Sequence, residues 1–328
     1  MDLGHRPVLA GRDRAKVKAI ALQMGLPFRC FPLTQREKIQ EGVTGARTVL
    51  NAAGPFAQSA RPMVEACIAA GAHYLDISGE ALAIAEVVRF GKPARDRGIM
   101  LMPAVGFDVV PSDCLVARVA KRLPDATTLE IGVSLPGRIT PGSARSFLEY
   151  AGCDTYVRRH GKLVPVTLGL LERDFDFGDG ARLCSAVSWG DTTTAYYTSG
   201  IPNITSYLET TATMRAAFRY AAPYRLISKR PLARALWNAA TDILMQGPTG
   251  DIVHHLRSAI VVEAFNPSGG RARSRLTAGE PYRLTAQIAS SIVSRVHAGD
   301  FEPGFQTPAR LFGAELISTF EGVVIYDE

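Results

Sequence analysis

The sequence predicts an α/β protein, with a doubly wound parallel sheet followed by an α+β part built on a mixed or antiparallel sheet. Three observations carry this. From residue 6 to about 135, short apolar runs alternate strictly with helix-like stretches, as in a parallel sheet covered on both faces. The runs are nearly continuous in apolar residues, as strands buried on both sides must be. Beyond about 140 the alternation stops, and strand-like runs are separated by turn-rich loops.

In order, the runs are 7–11 (PVLAG), 27–33 (PFRCFPL), 47–54 (RTVLNAAG), 73–79 (HYLDISG), 99–106 (IMLMPAVG) and 128–135 (TLEIGVSL). Helix-like stretches lie between them at 14–25, 35–42, 60–70, 80–97 and 112–122. The helix at 60–70 shows the local logic. Ser59 is placed to cap it, and Pro62 falls in its first turn, where a missing amide costs little. Met63, Cys67 and Ala70 share a face, and Gly71 ends the helix by taking the left-handed conformation cheaply. Further on, 163–168 and 181–189 have strand character, and a helical, aromatic-bearing stretch is expected at 204–246. Strands at 257–265 and 271–278 flank the turn Asn266-Pro267-Ser268-Gly269-Gly270. Segment 281–297 begins like a strand and continues like an amphipathic helix. The expected division is 1–125, 126–298 as substrate or dimerisation domain, and 299–328 returning to the first domain.

Composition narrows the function classes. A chain of 328 residues, 47% apolar and 21% charged, suits about two globular domains. The net charge of +6 is scattered, with basic clusters only at Arg12–Lys18, Arg225–Arg234 and Arg271–Arg275. Without one basic stripe, no nucleic-acid partner is expected; the first cluster reads either as solvated surface or as a phosphate site. Five cysteines (Cys30, Cys67, Cys114, Cys153, Cys184) form no C-x-x-C pair, which argues against disulfides and structural zinc and for a cytoplasmic location. The adjacent His254-His255 point apart in any regular element, so no metal is expected there. No apolar run reaches the roughly 18 residues of a membrane span.

In a doubly wound sheet, ligands sit beyond the carboxyl ends of the strands. The first tip is Gly11-Arg12; Arg there suits the 2′-phosphate of NADP, and the alternative is a solvated strand end. Asn51-Ala52-Ala53-Gly54-Pro55-Phe56 ends the third run with small residues, a turn that needs Gly54, and a rigid Pro55. At the fourth tip, Glu80 is expected in the first turn of its own helix, and Asp76, inside a buried run, needs a partner. At the fifth, Gly106-Phe107-Asp108-Val109-Val110-Pro111-Ser112-Asp113 gathers two carboxylates; Ser112 or Asp113 is a helix cap, and Asp108 lines a cleft. Neither a G-x-G-x-x-G nor a phosphate-binding G-x-x-x-x-G-K-[ST] loop occurs.

Together, RPVLAGRDRAKV, VLNAAGPFAQSARPMVEACIAAGAHYLDISGE, MPAVGFDVVPSDCL and GDFEPGFQTPARLFGAELI resemble the saccharopine dehydrogenase-like oxidoreductases, in particular the trans-acting enoyl reductase branch. The resemblance implies a Rossmann-like domain for NADP(H), or NAD(H), joined to a substrate domain on a mixed sheet. It implies that Gly11 and Arg12 approach the adenosine 2′-phosphate, and that Ala53, Gly54, Pro55 and Phe56 lie along the adenosine and pyrophosphate. Ser78, Gly79 and Glu80, then Gly106, Phe107 and Asp108, would lie nearer the nicotinamide. The family begins with a strand and Gly-rich turn, a βα unit of about 30 residues. Here only Asp2-Leu3-Gly4-His5 corresponds to its end, so a first strand is expected to be missing.

The resulting expectation is an NADP(H)-dependent oxidoreductase moving a hydride to or from a small or acyl-type substrate, such as an enoyl group. Asp108, Tyr156 and Asp154 are the candidates for proton donation. The alternatives are a non-catalytic binding or scaffold protein of the same fold, and a fragment of an enzyme whose start lies upstream. Exposed edges beside the missing strand would favour a homodimer.

Overall fold

The computed structural model describes residues 5–135, 154–212, 214–215, 218 and 257–328. Asp2, Leu3, Gly4, Cys153, His254, His255 and residues 219–246 of the helical stretch expected over 204–246 lie outside the described residues.

The first part alternates as the sequence predicts: β1 (Leu9–Gly11), α1 (Arg14–Met24), β2 (Phe28–Cys30), α2 (Arg36–Val43), β3 (Thr48–Asn51), α3 (Phe56–Ala70), β4 (His73–Asp76), α4 (Ala81–Val88), α5 (Gly91–Asp96), β5 (Met100–Met102) and α6 (Val110–Arg122). The helix expected at 80–97 is two helices. Pro93 has no amide to return to the Arg89 carbonyl, so one continuous ladder cannot form. The helix expected at 60–70 starts earlier, at Phe56, so Ser59 is a buried interior residue and Pro62 lies within the helix. Both faces of the sheet are covered. Tyr74 packs with Val64 and Cys67 of α3, while its neighbour Leu75 packs with Cys114 and Leu115 of α6.

The parallel strands form two separate sheets. β1 pairs with β2, Leu9 opposite Phe28. β3, β4 and β5 form the second sheet, joined by β14 (Gly304–Phe305) beside β5. Among the described residues, no strand ladder joins β1 to β3.

The third sheet is large and mixed. It contains β6 (Thr128–Ser134), β7 (Thr155–Arg159), β8 (Lys162–Val166), β9 (Glu172–Asp176), β10 (Ala181–Ala186), β11 (Asn203–Glu209), β12 (Ser258–Phe265), β13 (Arg271–Ala278) and β15 (Val324–Asp327). Its order is β15-β13-β12-β6-β11-β10-β9, with β7 on β11 and β8 on β7. Two expectations are corrected here. The run 128–135 does not end the parallel sheet. It pairs with β11 and β12 because Leu129, Ile131 and Val133 bury one face while Glu130 turns to Arg173 on the other. Residues 203–209, expected to open a helix, are a central strand. Ile204 and Thr205 are β-branched and Tyr207 is aromatic, which favours a pleated, buried position.

α7 (Asp191–Ser199) links β10 to β11, and α8 (Pro281–His297) follows β13. Segment 281–297 is helical throughout. Pro281 stands in the first turn, the Glu280 carboxylate accepts from the Tyr282 and Arg283 amides, and Leu284, Ile288, Ile292 and Val296 bury one face. The C-terminal stretch divides: β14 extends the parallel sheet, α9 (Pro308–Phe312) follows it, and β15 pairs with β13.

Candidate cofactor and proton-donor site

At the tip of β1, a Cβ on Gly11 would stand 2.8 Å from Val17 Cγ2, so glycine lets α1 pack closely. Arg12 is exposed, and its guanidinium makes no ion pair among the described residues. Asp13 caps α1, accepting from the Ala15 and Lys16 amides at 3.1 Å each.

At the tip of β3, the buried Asn51 organises the junction. Its Oδ1 accepts from the Ala53 amide at 3.0 Å, and its Nδ2 donates to Ser59 Oγ and the Tyr74 hydroxyl, each at 3.2 Å. Ala53, Gly54 and Pro55 are exposed and Phe56 half-buried. Gly54 does not have a left-handed φ, and a Cβ there would meet the Phe56 ring at an ordinary 3.7 Å. The turn therefore does not demand glycine, contrary to expectation; the Gly54–Pro55 bond is cis.

Glu80 is the N-cap residue of α4, yet its side chain serves α3. Oε1 accepts from the Phe56 amide at 3.0 Å and Oε2 from the Ala57 amide at 2.9 Å. The expectation that Glu80 serves its own helix dipole is corrected: the turn after β4 aims its carboxylate at the neighbouring N-terminus.

Asp76 finds the partners its burial requires. It accepts from the Tyr74 hydroxyl at 2.7 Å, the Ser78 amide at 2.9 Å and hydroxyl at 2.7 Å, and the Ala104 amide at 2.8 Å. Burial pushes its carboxyl above the ordinary range, and these donors pull against that shift. Ala104 has φ 61°, a left-handed backbone that the Asp76 bond helps to hold. The Ser78 hydroxyl is thereby directed to Asp76.

Gly79 and Asp108 meet directly, since a Cβ on Gly79 would fall 2.6 Å from Asp108 Oδ2. Asp108 is half-buried, and burial pushes its carboxyl up to about 6. The Trp189 indole donates to the Asp108 carbonyl. Phe107 packs in the core, and its amide donates to Thr285 Oγ1 at 3.0 Å. Gly106 stands against the same threonine, a Cβ there lying 3.0 Å from Thr285 Cγ2.

Neither Ser112 nor Asp113 caps its own helix, whose N-cap residue is Val109. Asp113 is fully buried and holds the start of α9, accepting from the Ala309 amide at 2.8 Å and from the Thr198 hydroxyl. Burial pushes it up to about 6. Ser112 Oγ lies 2.7 Å from Asp191 Oδ1.

The half-buried Tyr156 reaches this region by its backbone, its amide donating to Ser188 Oγ at 2.7 Å, one residue before Trp189. Asp154 is half-buried just before β7. The structure thus gathers Phe56, Glu80, Gly79, Asp108 and Trp189, while Gly11 and Arg12 lie on the separate two-stranded sheet. Sequence reasoning missed Ser188, Trp189, Asp191 and Thr285. One of two tryptophans, beside Gly190 and Asp191, was the signal in the sequence. Among the described residues, no cluster of three or more His, Cys, Asp or Glu is placed to hold a metal, and no helix is long and apolar enough to cross a membrane.

Comparison with known proteins adds the lineage. Residues 2–102 match the family described as the saccharopine dehydrogenase NADP binding domain. A trans-acting enoyl reductase of Mycobacterium ulcerans (strain Agy99) is 31% identical over 136 residues, covering 40% of this chain and 32% of that protein. A putative trans-acting enoyl reductase of Mycobacterium tuberculosis is 32% identical over 117 residues, 34% of this chain and 28% of that one. The chain thus spans about a third of the length of the curated relatives it matches. Apo saccharopine dehydrogenase (L-Glu forming) from Saccharomyces cerevisiae superposes with a TM-score of 0.60 at 12% identity, over 98% of this chain and 93% of that one, which is a likeness of fold. Residues 2–102 thus match the saccharopine dehydrogenase NADP-binding domain, in a chain whose α/β fold is that of saccharopine dehydrogenase.

Proposed function

We propose that the protein is an NADP(H)-dependent oxidoreductase acting on a small or acyl-type substrate, such as an enoyl group. The observation that carries this is the family match over 2–102 together with an exposed Arg12 at the tip of β1 that has no ion-pair partner among the described residues. A planar guanidinium there is the donor set a 2′-phosphate needs, which favours NADP(H) over NAD(H). The fit is partial. The first amides of α1 and α3 are already bound by Asp13 and Glu80, so neither helix start is open to the pyrophosphate. In this reading Arg12 holds the adenosine end, exposed Ala53, Gly54 and Pro55 with Phe56 border it, and Gly79, Gly106 and Asp108 face the reacting end. When bound, the cofactor supplies the hydride. The chain supplies the proton, which we assign to the Asp108 carboxyl; its position near 6 suits a group that gives and regains a proton near neutrality. Tyr156 and Asp154 are secondary candidates. The division near residue 125, ahead of β6, separates the cofactor part from the substrate part.

The test is fluorescence titration with NADPH and NADH, then NADPH oxidation with a 2-enoyl thioester. Saturable NADPH binding is expected, and Arg12→Ala should weaken NADPH by about tenfold or more while leaving NADH nearly unchanged. Asp108→Asn should keep NADPH binding and lose about 10²-fold or more in turnover. A second reading, a non-catalytic binding protein of this fold, is favoured by the occupied starts of α1 and α3. Failure of NADPH to saturate would select it.

A further inference from the structure

We propose that Asp191 is held as a neutral carboxylic acid at neutral pH and, through Ser112 and the Val109 carbonyl, positions the turn that carries Asp108. The claim about Asp191's protonation stands alone, whereas its importance to turnover rests on the proton-donor role given to Asp108.

Ser112 Oγ lies 2.7 Å from Asp191 Oδ1 and 2.9 Å from the Val109 carbonyl oxygen. A hydroxyl has one proton to give, and a carbonyl can only accept. Both contacts are satisfied when Asp191 donates to Ser112 and Ser112 donates to Val109. An ionised Asp191 would leave one of these two short contacts without a proton between its oxygens, although the Val109 carbonyl also accepts from the Asp113 amide at 2.8 Å. The other oxygen, Asp191 Oδ2, is buried with no hydrogen-bond partner among the described residues. As half of a carboxylate, that atom would be an unmatched charge in the interior; as the carbonyl oxygen of a neutral acid, it costs far less. Asp191 itself is wholly buried.

The surroundings point the same way. On the α6 side stand Asp108 and Asp113, both carboxyl groups. At the start of α4, Glu80 turns its carboxylate to α3. On β7, Arg158 gives its guanidinium to the Thr192 and Gly161 carbonyls. Glu209 of β11 pairs with Arg182, and Arg310 of α9 is exposed. Among the described residues, Asp191 therefore faces acids without a cation bound to its carboxyl. Burial pushes it well above the ordinary carboxylate range; the Ser112 hydrogen bond pulls against that, and Asp113 and Asp108 add to it. Position makes the arrangement consequential: Gly190 is packed so tightly that a Cβ would lie 2.6 Å from Val109 Cγ2, and the Trp189 indole holds the Asp108 carbonyl.

The test uses the full chain. At about pH 8, above the positions near 6 of Asp108 and Asp113, a protonated Asp191 should give the infrared carbonyl stretch of a carboxylic acid in the wild type. It should be lost in Asp191→Asn and retained in Asp108→Asn. An unchanged band in Asp191→Asn overturns the proposal. For positioning, the Asp108 titration is followed by carbon NMR of labelled aspartate. Asp191→Asn keeps a neutral donor towards Ser112 and should leave that titration in place, whereas Ser112→Ala and Asp191→Ala should move it. Equal behaviour of Asp191→Asn and Ser112→Ala overturns the positioning role. Neither readout requires turnover, so a failed enzyme assay cannot be mistaken for failure of this inference.

Discussion

At the scale of the residue, Glu80 and Asp113 share one device. Each lies at the start of one helix and binds the first amides of another, Glu80 at α3 and Asp113 at α9. Orphan amides at a helix start are satisfied by any acceptor the fold delivers, not only by the preceding residue. Glu80→Ala should lower stability by about 1–2 kcal/mol, with Glu80→Gln recovering part of it, as chemical denaturation would measure. Asp76 is more consequential. Asp76→Ala would strand the Ser78 and Ala104 amides and the Tyr74 hydroxyl in the interior, at about 1–3 kcal/mol each. A loss of at least about 3 kcal/mol in the same measurement is expected.

At the scale of the element, the β1–β2 pair is the least anchored part of the parallel region. Of α1, only Ala21 is buried, and Ile20, Leu22 and Met24 are exposed. β4, in contrast, is buried along its whole length and paired on both sides. Hydrogen exchange should therefore release the amides of β1 well before those of β4, since local opening of β1 uncovers little apolar surface. Equal protection of the two strands would contradict this. Many elements were legible because periodicity survives without tertiary context: Met63 and Cys67 mark the buried face of α3, and Gly71 ends it with a left-handed φ of 72°, whereas the first turn of α8 reads like a strand and is set by Pro281 and the Glu280 cap. Errors arose where local chemistry was ambiguous. Ser59 looks like a cap, but α3 starts three residues earlier because Glu80, distant in sequence, satisfies its first amides. The run at 203–209 adjoins a stretch of helical character; its β-branched and aromatic residues favour a strand, and its place between β6 and β10 makes it a central one.

At the scale of the whole molecule, buried ionisable groups set opposing pH dependences. His73 is buried, its Nδ1 accepts from the Met100 amide at 3.0 Å, and its ring packs 4.2 Å from that of Phe301. Burial, then Arg47 and His297, hold its pKa below the ordinary 6.5. The unfolded chain binds that proton first, so this contribution is complete above 6.5 and is lost as pH falls below it. Asp113 has the opposite sign. Raised from 3.8 to about 6, it favours the folded state at low pH, and that advantage, about 3 kcal/mol, is gone once pH passes about 6. His73→Gln should thus lose less stability than the wild type between pH 7 and pH 5, judged by denaturant midpoints. Identical losses would show that His73 does not contribute.

The sequence by itself determined the α/β class, the cofactor-family motifs and the Arg at the tip of β1, because these depend on local periodicity and on ordered short motifs. Tertiary structure alone decided where the carboxylates act. Glu80, Asp113 and Asp191 are neighbours of their functional partners in space and distant from them along the chain. Burial raises the pKa of Asp113 and Asp191, and packing against α3, α6 and α9 chose the partners of all three. A carboxylate's role depends on the donors and the dielectric around it, and no local stretch of sequence encodes either.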